Sequence, residues 1–336
     1  MRSVALVTAA ALGLLASACD GGEGGVAATS SSSSTSVTAS PSVSAGVTET
    51  VREIPDVFYQ KDPDGTEHVL DVYVPTAAGG SWPVVVMIHG AGFSGAWLKD
   101  WATAVAEQGA VVFVPTWYAD PWPSAKVGMR RAWAETDRMA CVVRFARERA
   151  ERYGGDPSNL ALFAHSAGGN IAAIVAFADP EVPQGCVARS GSLVPESLVL
   201  FEGAWLLPDP DWDVLLAEDP RVIDAMLPWP YLEGGDRIPV TVLVSEYGSD
   251  SLYIDVDDPE AWMALRDPSG VLGGEADEMG IFDDGRLDLG EMQALLLHRL
   301  KALGYEASSD TLPGSDHTSL SEEGLQVLVD AILQRT

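Results

Sequence analysis

Six short runs along the chain are almost continuously apolar and rich in β-branched residues: HVLDVYV (68–74), PVVVMIHG (83–90), GAVVFVPT (109–116), NLALFAHS (159–166), ESLVLFEG (196–203) and PVTVLVSE (239–246). Each has the length of a strand, and several lack polar alternation, as expected of strands covered on both faces. Between and after them the period changes to that of a helix. In DRMACVVRFARERAERYGG, Met139, Val142, Val143, Ala146, Ala150 and Tyr153 fall on one stripe, and Gly154-Gly155 ends it. EMQALLLHRLKALG (291–304) repeats the pattern and stops at Gly304. SLSEEGLQVLVDAILQR closes the chain, with Ser319 and Glu322 spaced as a capping box. Strands alternating with helices predict an α/β fold: a mostly parallel sheet, helices on both faces, and ligand sites at the carboxyl ends of the strands. Two stretches break the rhythm. Residues 203–238 are rich in Trp, Pro and Asp, and 251–289 are acidic and glycine-rich; both read as insertions over the strand ends.

The first fifty residues follow another logic. Val4 to Ala16 form an apolar run after Arg2, shorter than the roughly 20 residues that a membrane-spanning helix needs, and therefore a secretory segment. Leu15-Ala16-Ser17-Ala18-Cys19 resembles a bacterial lipobox, with Ala16 where leucine is commonest. This implies that Cys19 is acylated and that the protein is exported and held at the cell membrane by an N-terminal lipid anchor. Ordinary signal cleavage would leave Cys19 incidental. From Gly21 to about Thr50 the chain is nearly all Gly, Ser, Thr, Ala and Val, too poor in bulky apolar groups to offset its ordering entropy. The expected organisation is a signal peptide over 1–18, a flexible tether over 19–50 and a globular domain over 51–336.

Composition narrows the partners. A formal net charge of −29 excludes nucleic acid, argues against strongly anionic substrates and favours a small neutral one. With Cys19 assigned to lipid, Cys141 and Cys186 remain, and in an exported domain a disulfide between them is expected. No metal-ligand spacing is present among the cysteines, and no cofactor is called for.

Three pieces carry chemistry. Ser166 sits between the apolar run ending at Ala164 and another opening at Asn170, in the sequence AHSAGG. A nucleophile elbow needs that strand-to-helix turn, with small neighbours where helix crowds strand. Ala164 replaces the first glycine of the G-x-S-x-G pattern. The second piece, His89-Gly90-Ala91-Gly92, follows an apolar strand and resembles an HGGG oxyanion loop, with Ala91 in place of one glycine. The third is His317 in LPGSDHTSL, which follows the serine with acids between them, in the order Ser, acid, His. His68 and His298 fit that order less well, and His165 adjoins the serine with its side chain expected to turn elsewhere.

In this order and spacing, DRMACVVRFARERAERYGGDPSNLALFAHSAGGNIAA, IHGAGF and LGYEASSDTLPGSDHTSL resemble the α/β-hydrolase carboxylesterases. The nearest groups are the hormone-sensitive-lipase-like and the feruloyl- or acetyl-esterase-like branches. The resemblance covers residues 52–336 and is strongest at 83–178. It implies Ser166 as nucleophile, His317 as base, and an oxyanion hole from the backbone of Ala167 with Ala91 and Gly92. The family's acid lies a short turn past a strand, which selects Asp250, with Asp255 as the alternative. Trp97, Trp101, Trp117, Tyr118, Trp122, Trp205, Trp212, Trp229 and Tyr231 concentrate in loops that could roof such a site, favouring a short-chain or aryl ester.

Other readings make different demands. A catalytically inactive binding module of the same fold has no need for Ser166, His317 and both glycine turns together. A solute receptor would show two similar lobes, whereas the chain shows one continuous sheet pattern. GIFDDGRLDLGE (280–291) has the Gly and Glu of an EF-hand loop at positions six and twelve, yet Gly280 and Phe282 stand where the first and third ligands belong, so it reads as a loop entering a helix.

Overall fold

The computed structural model describes residues 50–77, 79–117, 128–206, 213, 216–217, 221–248 and 253–334. Its contacts divide the chain into Met1–Val47 and Thr48–Thr336. The first of these, including Cys19 and most of the tether, lies outside the described residues.

Eight strands form one sheet: β1 Val51–Lys61, β2 Glu67–Pro75, β3 Trp82–Ile88, β4 Val111–Pro115, β5 Gly155–His165, β6 Ser197–Phe201, β7 Val240–Ser245 and β10 Ala307–Leu312. Their order is β1-β2-β4-β3-β5-β6-β7-β10. β1 pairs antiparallel with β2, and β2 with β4; every other pair is parallel. The fully apolar runs 84–88, 111–114 and 160–164 fill the centre, where neighbours on both sides and helices above and below exclude water.

The helices divide between the two faces. α1 (Lys99–Glu107) and α8 (Glu322–Leu333) pack their apolar stripes on one layer with Val85, Met87, Phe163 and Phe201. α2 (Gly128–Arg149), α3 (Ala167–Ala178) and α7 (Leu289–Ala302) cover the other, over Val84, Val86, Leu162 and Leu200. Adjacent residues of one strand thus feed opposite layers, the period-2 consequence of the pleat. α3 is buried from Ala167 to Phe177, which explains a sequence with no charge before Asp179.

Two strands of this sheet were not evident in the apolar pattern. β1 is broken by register shifts between Ile54 and Val57 and between Phe58 and Gln60, and carries Pro55. β10, ASSDTL, exposes Ser309, Asp310 and Thr311 because it is the far edge of the sheet. The last helix also starts differently from expectation. Its cap is Ser321, whose hydroxyl accepts from Gly324 N, whereas Ser319 Oγ donates to Asp316.

The acidic stretch after β7 folds into β8 (Tyr253–Asp255), α5 (Pro259–Arg266), α6 (Val271–Met279) and β9 (Arg286–Asp288). β8 and β9 pair antiparallel, Ile254 opposite Leu287. Asp288 and Glu291 close a capping box at the head of α7, so the twelfth residue of the EF-hand-like stretch serves its own backbone. Among the described residues, no cluster of His, Cys, Asp and Glu is placed to hold a metal. The other insertion contains α4 (Val222–Met226), and its Trp205 is fully buried, donating from Nε1 to Gln293 Oε1 at 2.5 Å. Arg266 pins the two insertions together. It stacks 3.5 Å from the Trp262 ring centre and donates to Leu206 O and Asp213 Oδ1. No helix among the described residues is long and apolar enough to cross a membrane.

Candidate active site

Ser166 occupies the joint between β5 and α3 with φ 52° and ψ −130°. A non-glycine residue there is strained by about 1–3 kcal/mol and must be held by its surroundings. Two bonds hold it: Ser166 N donates to Phe201 O at 2.8 Å, and Gly169 N donates to Ser166 O at 2.8 Å. The neighbours must be small. A Cβ on Gly168 would lie 2.3 Å from His89 O, and one on Gly90 would lie 2.9 Å from Ser166 Cβ. Elbow and glycine loop therefore touch backbone to backbone. Ala164, the departure from the usual motif, is buried in β5 between Ile88 and Leu200, where its methyl belongs to the core.

His317 stands over the serine, its Nε2 3.1 Å from Ser166 Oγ. Its Nδ1 lies 2.7 Å from Glu202 Oε2. Glu202 directly follows β6, fully buried, with φ 47° turning its side chain back toward the neighbouring strand ends. Its other oxygen accepts from Ser245 N at 2.7 Å and Ser245 Oγ at 2.5 Å. With the carboxylate accepting at Nδ1, that nitrogen carries the proton and Nε2 is left to accept from the serine hydroxyl.

This corrects the expectation of Asp250 at the imidazole. The Nδ1–H makes its bond to Glu202, the acid on the strand adjacent to the nucleophile strand; Asp250 itself lies outside the described residues. Asp255, the alternative, sits in β8 with its side chain 74% exposed and paired with Arg286 at 3.2 Å. Glu202 stood in view in ESLVLFEG. Its signal was an acid placed immediately after an all-apolar strand, at the edge where such sheets hold their ligands.

The glycine loop supplies donors. Ala91 N and Gly92 N meet no protein acceptor among the described residues, and Gly92 has φ 78°. Ala167 N opens α3, where first-turn N–H groups lack partners within the helix and the dipole favours negative charge. His89 braces this loop from behind. Trp117 N donates to His89 Nε2 at 3.2 Å, Trp117 Nε1 donates to His89 O at 2.7 Å, and His89 Nδ1 lies 2.8 Å from Gly90 O. Those bonds require the neutral Nδ1–H tautomer, and burial pushes the His89 pKa down to about 4.

His165 turns away from the serine into a fully buried cage, with Nε2 2.7 Å from His317 O. Of the aromatic residues expected to roof the site, Trp101, Trp117 and Trp205 are core, Trp97, Trp229 and Tyr231 are half-buried, and Tyr118, Trp122 and Trp212 lie outside the described residues. Cys141 and Cys186 form a disulfide that joins α2 to the segment following α3.

The chain is similar to known proteins in sequence and in fold. Residues 70–186 match the BD-FAE family model. Carboxylesterase NlhH of Mycobacterium tuberculosis is 32% identical over 185 residues, covering 53% of this chain and 54% of that protein. The liver carboxylesterase of Sus scrofa is 29% identical over 113 residues, 32% of this chain and 20% of that one. The chain thus spans about half, or less, of the length of these relatives. Among solved structures, the butyrate-bound esterase Est2 of Thermogutta terrifontis superposes with a TM-score of 0.58 at 16% identity, covering 84% of this chain and 93% of that one. Esterase B of Lactobacillus rhamnosis gives 0.55 at 14%, with 85% of each chain covered. The sheet order, the elbow and these superpositions establish that the chain has the α/β-hydrolase fold, with its BD-FAE-like segment running from β2 to Cys186.

Proposed function

We propose that the protein hydrolyses carboxylic esters through Ser166, His317 and Glu202. The observation that carries this reading is the relay itself: hydroxyl, imidazole and buried carboxylate at 3.1 and 2.7 Å, beside N–H groups with no protein acceptor among the described residues. As Ser166 Oγ attacks the ester carbonyl, its proton passes to His317 Nε2. The carbonyl oxygen becomes an oxyanion and accepts from Ala167 N and from the Ala91–Gly92 loop. Glu202 keeps the imidazole in the productive tautomer and stabilises the imidazolium. Collapse of the intermediate breaks the ester C–O bond, His317 returns the proton to the departing alcohol, and an acyl-serine remains. Water deprotonated by His317 attacks the acyl carbon, releasing the acid and restoring Ser166. No step requires a metal or cofactor.

The net charge of −29 supports a neutral substrate, and the aromatic-rich insertions support a short-chain or aryl ester. Export and anchoring through Cys19 complete the reading, supported by the apolar leader and the small residues before the cysteine. A fluorophosphonate probe should label Ser166 in the folded protein, and Ser166→Ala should abolish both labelling and hydrolysis of p-nitrophenyl esters. Folded wild-type protein that neither labels nor hydrolyses would instead fit an inactive binding module. An acyl-length series should peak at short chains, and Cys19→Ser should free active enzyme from host membranes.

A further inference from the structure

We propose that His165 is a positioning residue: its Nε2–H holds the main-chain carbonyl of His317 and so fixes the base over Ser166. The proposal rests on the hydrolase reading above. Its ground is the way the His317 loop is held. Within that loop, Asp316 accepts from Thr318 N and Ser319 N, both at 2.8 Å, closing a local turn. Before it, Gly314 N donates to Glu246 Oε2 at 2.6 Å, and Tyr247 N donates to Ser315 O at 3.0 Å. Neither set reaches the main chain of residue 317. Among the described residues, the hydrogen bond made by that main chain is the one to His165, at 2.7 Å.

A carbonyl oxygen only accepts, so His165 Nε2 carries the hydrogen. A neutral ring then has a bare Nδ1, and His165 Nδ1 is buried with no partner among the described residues. Apart from the His317 imidazole, the ring meets aromatic side chains, with Trp97 at 4.8 Å, Phe201 at 5.2 Å and Trp101 at 5.9 Å between centroids. One N–H and an otherwise apolar ring are what this place takes. Phenylalanine would fill it without a donor, and lysine or arginine would bring a permanent charge. Charge matters here because the His317 ring, 4.7 Å away, becomes cationic in the reaction. Burial first, and His317 second, hold the His165 pKa well below its ordinary value, so its proton stays on Nε2 while the neighbour charges.

The geometry also explains why the residue next to the nucleophile has this task. Ser166 Oγ contacts the His317 ring, and His165 contacts the His317 main chain. Two adjacent residues of one rigid joint thus fix both ends of the base. Loss of the second contact lets the loop drift, and a displacement of about 1 Å costs on the order of 10²-fold in rate.

The test compares His165→Phe with His165→Gln, whose amide N–H can take the place of Nε2–H. Both are checked for folding by circular dichroism and Tm. His165→Phe should lower kcat about 10²-fold with KM little changed, and the downfield proton resonance of His317 Nδ1–H should broaden or vanish. His165→Gln should recover most of kcat and the resonance. A folded His165→Phe with wild-type kcat and an intact resonance would overturn the proposal. Nitrogen-15 NMR of wild-type histidines decides the matter even where variants fail to fold. His165 should remain the neutral Nε2–H tautomer from about pH 5 to 8; an Nδ1–H tautomer, or titration in that range, would reject it. Ser166→Ala that still hydrolyses esters would sink the hydrolase reading instead, while the NMR result on His165 would stand by itself.

Discussion

Glu202 answers three demands with one carboxylate: it leaves water, accepts two bonds from Ser245, and presents its second oxygen to His317. Replacement by glutamine keeps the shape and removes the charge that stabilises the imidazolium. Glu202→Gln should therefore lower kcat on the order of 10⁴-fold, as for the acid of a serine protease, while Asp250→Asn and Asp255→Asn stay within about twofold. Loss of activity in Asp250→Asn with Glu202→Gln unaffected would reverse the assignment. Ser166, His317 and the glycine loop were legible because each stands in a local pattern. The acid was not, because five carboxylates crowd residues 246–258 and the adjacency of β6 to β5 exists only in the folded sheet. His89 offers a second prediction at this scale. Its ordinary pKa of 6.5 falls to about 4 on folding, so as pH drops the unfolded chain binds the proton first. Stability should then decline from pH 6.5 to about 4, by about 3 kcal/mol from this group, and level off below. Burial of Asp137, next to Glu181, raises its pKa to about 6 and acts in the opposite direction as pH falls from 6. Comparing wild type with His89→Gln isolates the histidine: the stability gap in urea at pH 7 should narrow at pH 4.5, and a constant gap would refute it.

Among elements, the central strands were easy to read and the edges hard, for one physical reason. β3, β4 and the Leu160–Ala164 part of β5 are covered on both faces and must be apolar, which leaves an unbroken run in the sequence. β10 has a neighbour on one side only and tolerates Ser, Ser, Asp and Thr; β1 bends through two register shifts. The Cys141–Cys186 bond belongs to this scale. It closes a 45-residue separation that contains β5, the elbow and α3, so the nucleophile rides on a loop tied at both ends. Closing a loop of that size lowers the entropy of the unfolded chain by an amount equivalent to about 4 kcal/mol. Serine at both positions should cost about 2–5 kcal/mol, seen as a lower Tm, with kcat at 25 °C nearly unchanged. An unaltered Tm would show that the unfolded chain gains little freedom there.

For the whole molecule, 49 acidic side chains against 20 basic ones produce a self-repelling body. Screening should relieve part of that repulsion, so raising sodium chloride from about 20 mM to about 0.5 M should increase Tm. A Tm that falls with salt would mean that favourable ion pairs outweigh the net charge. The polar edge has a further meaning for a protein proposed to be concentrated at a membrane surface. An open sheet offers unpaired N–H and C=O groups along its last strand, a template on which a second copy can add its own. β10 presents Ser309, Asp310 and Thr311 to water there, and β1 interposes Pro55 and its two irregular steps at the other margin. Neighbouring copies that approached strand to strand would meet a carboxylate on one margin and a proline and broken spacing on the other. The same residues that hid these strands from a hydrophobicity reading thus oppose growth of the sheet from one molecule into the next.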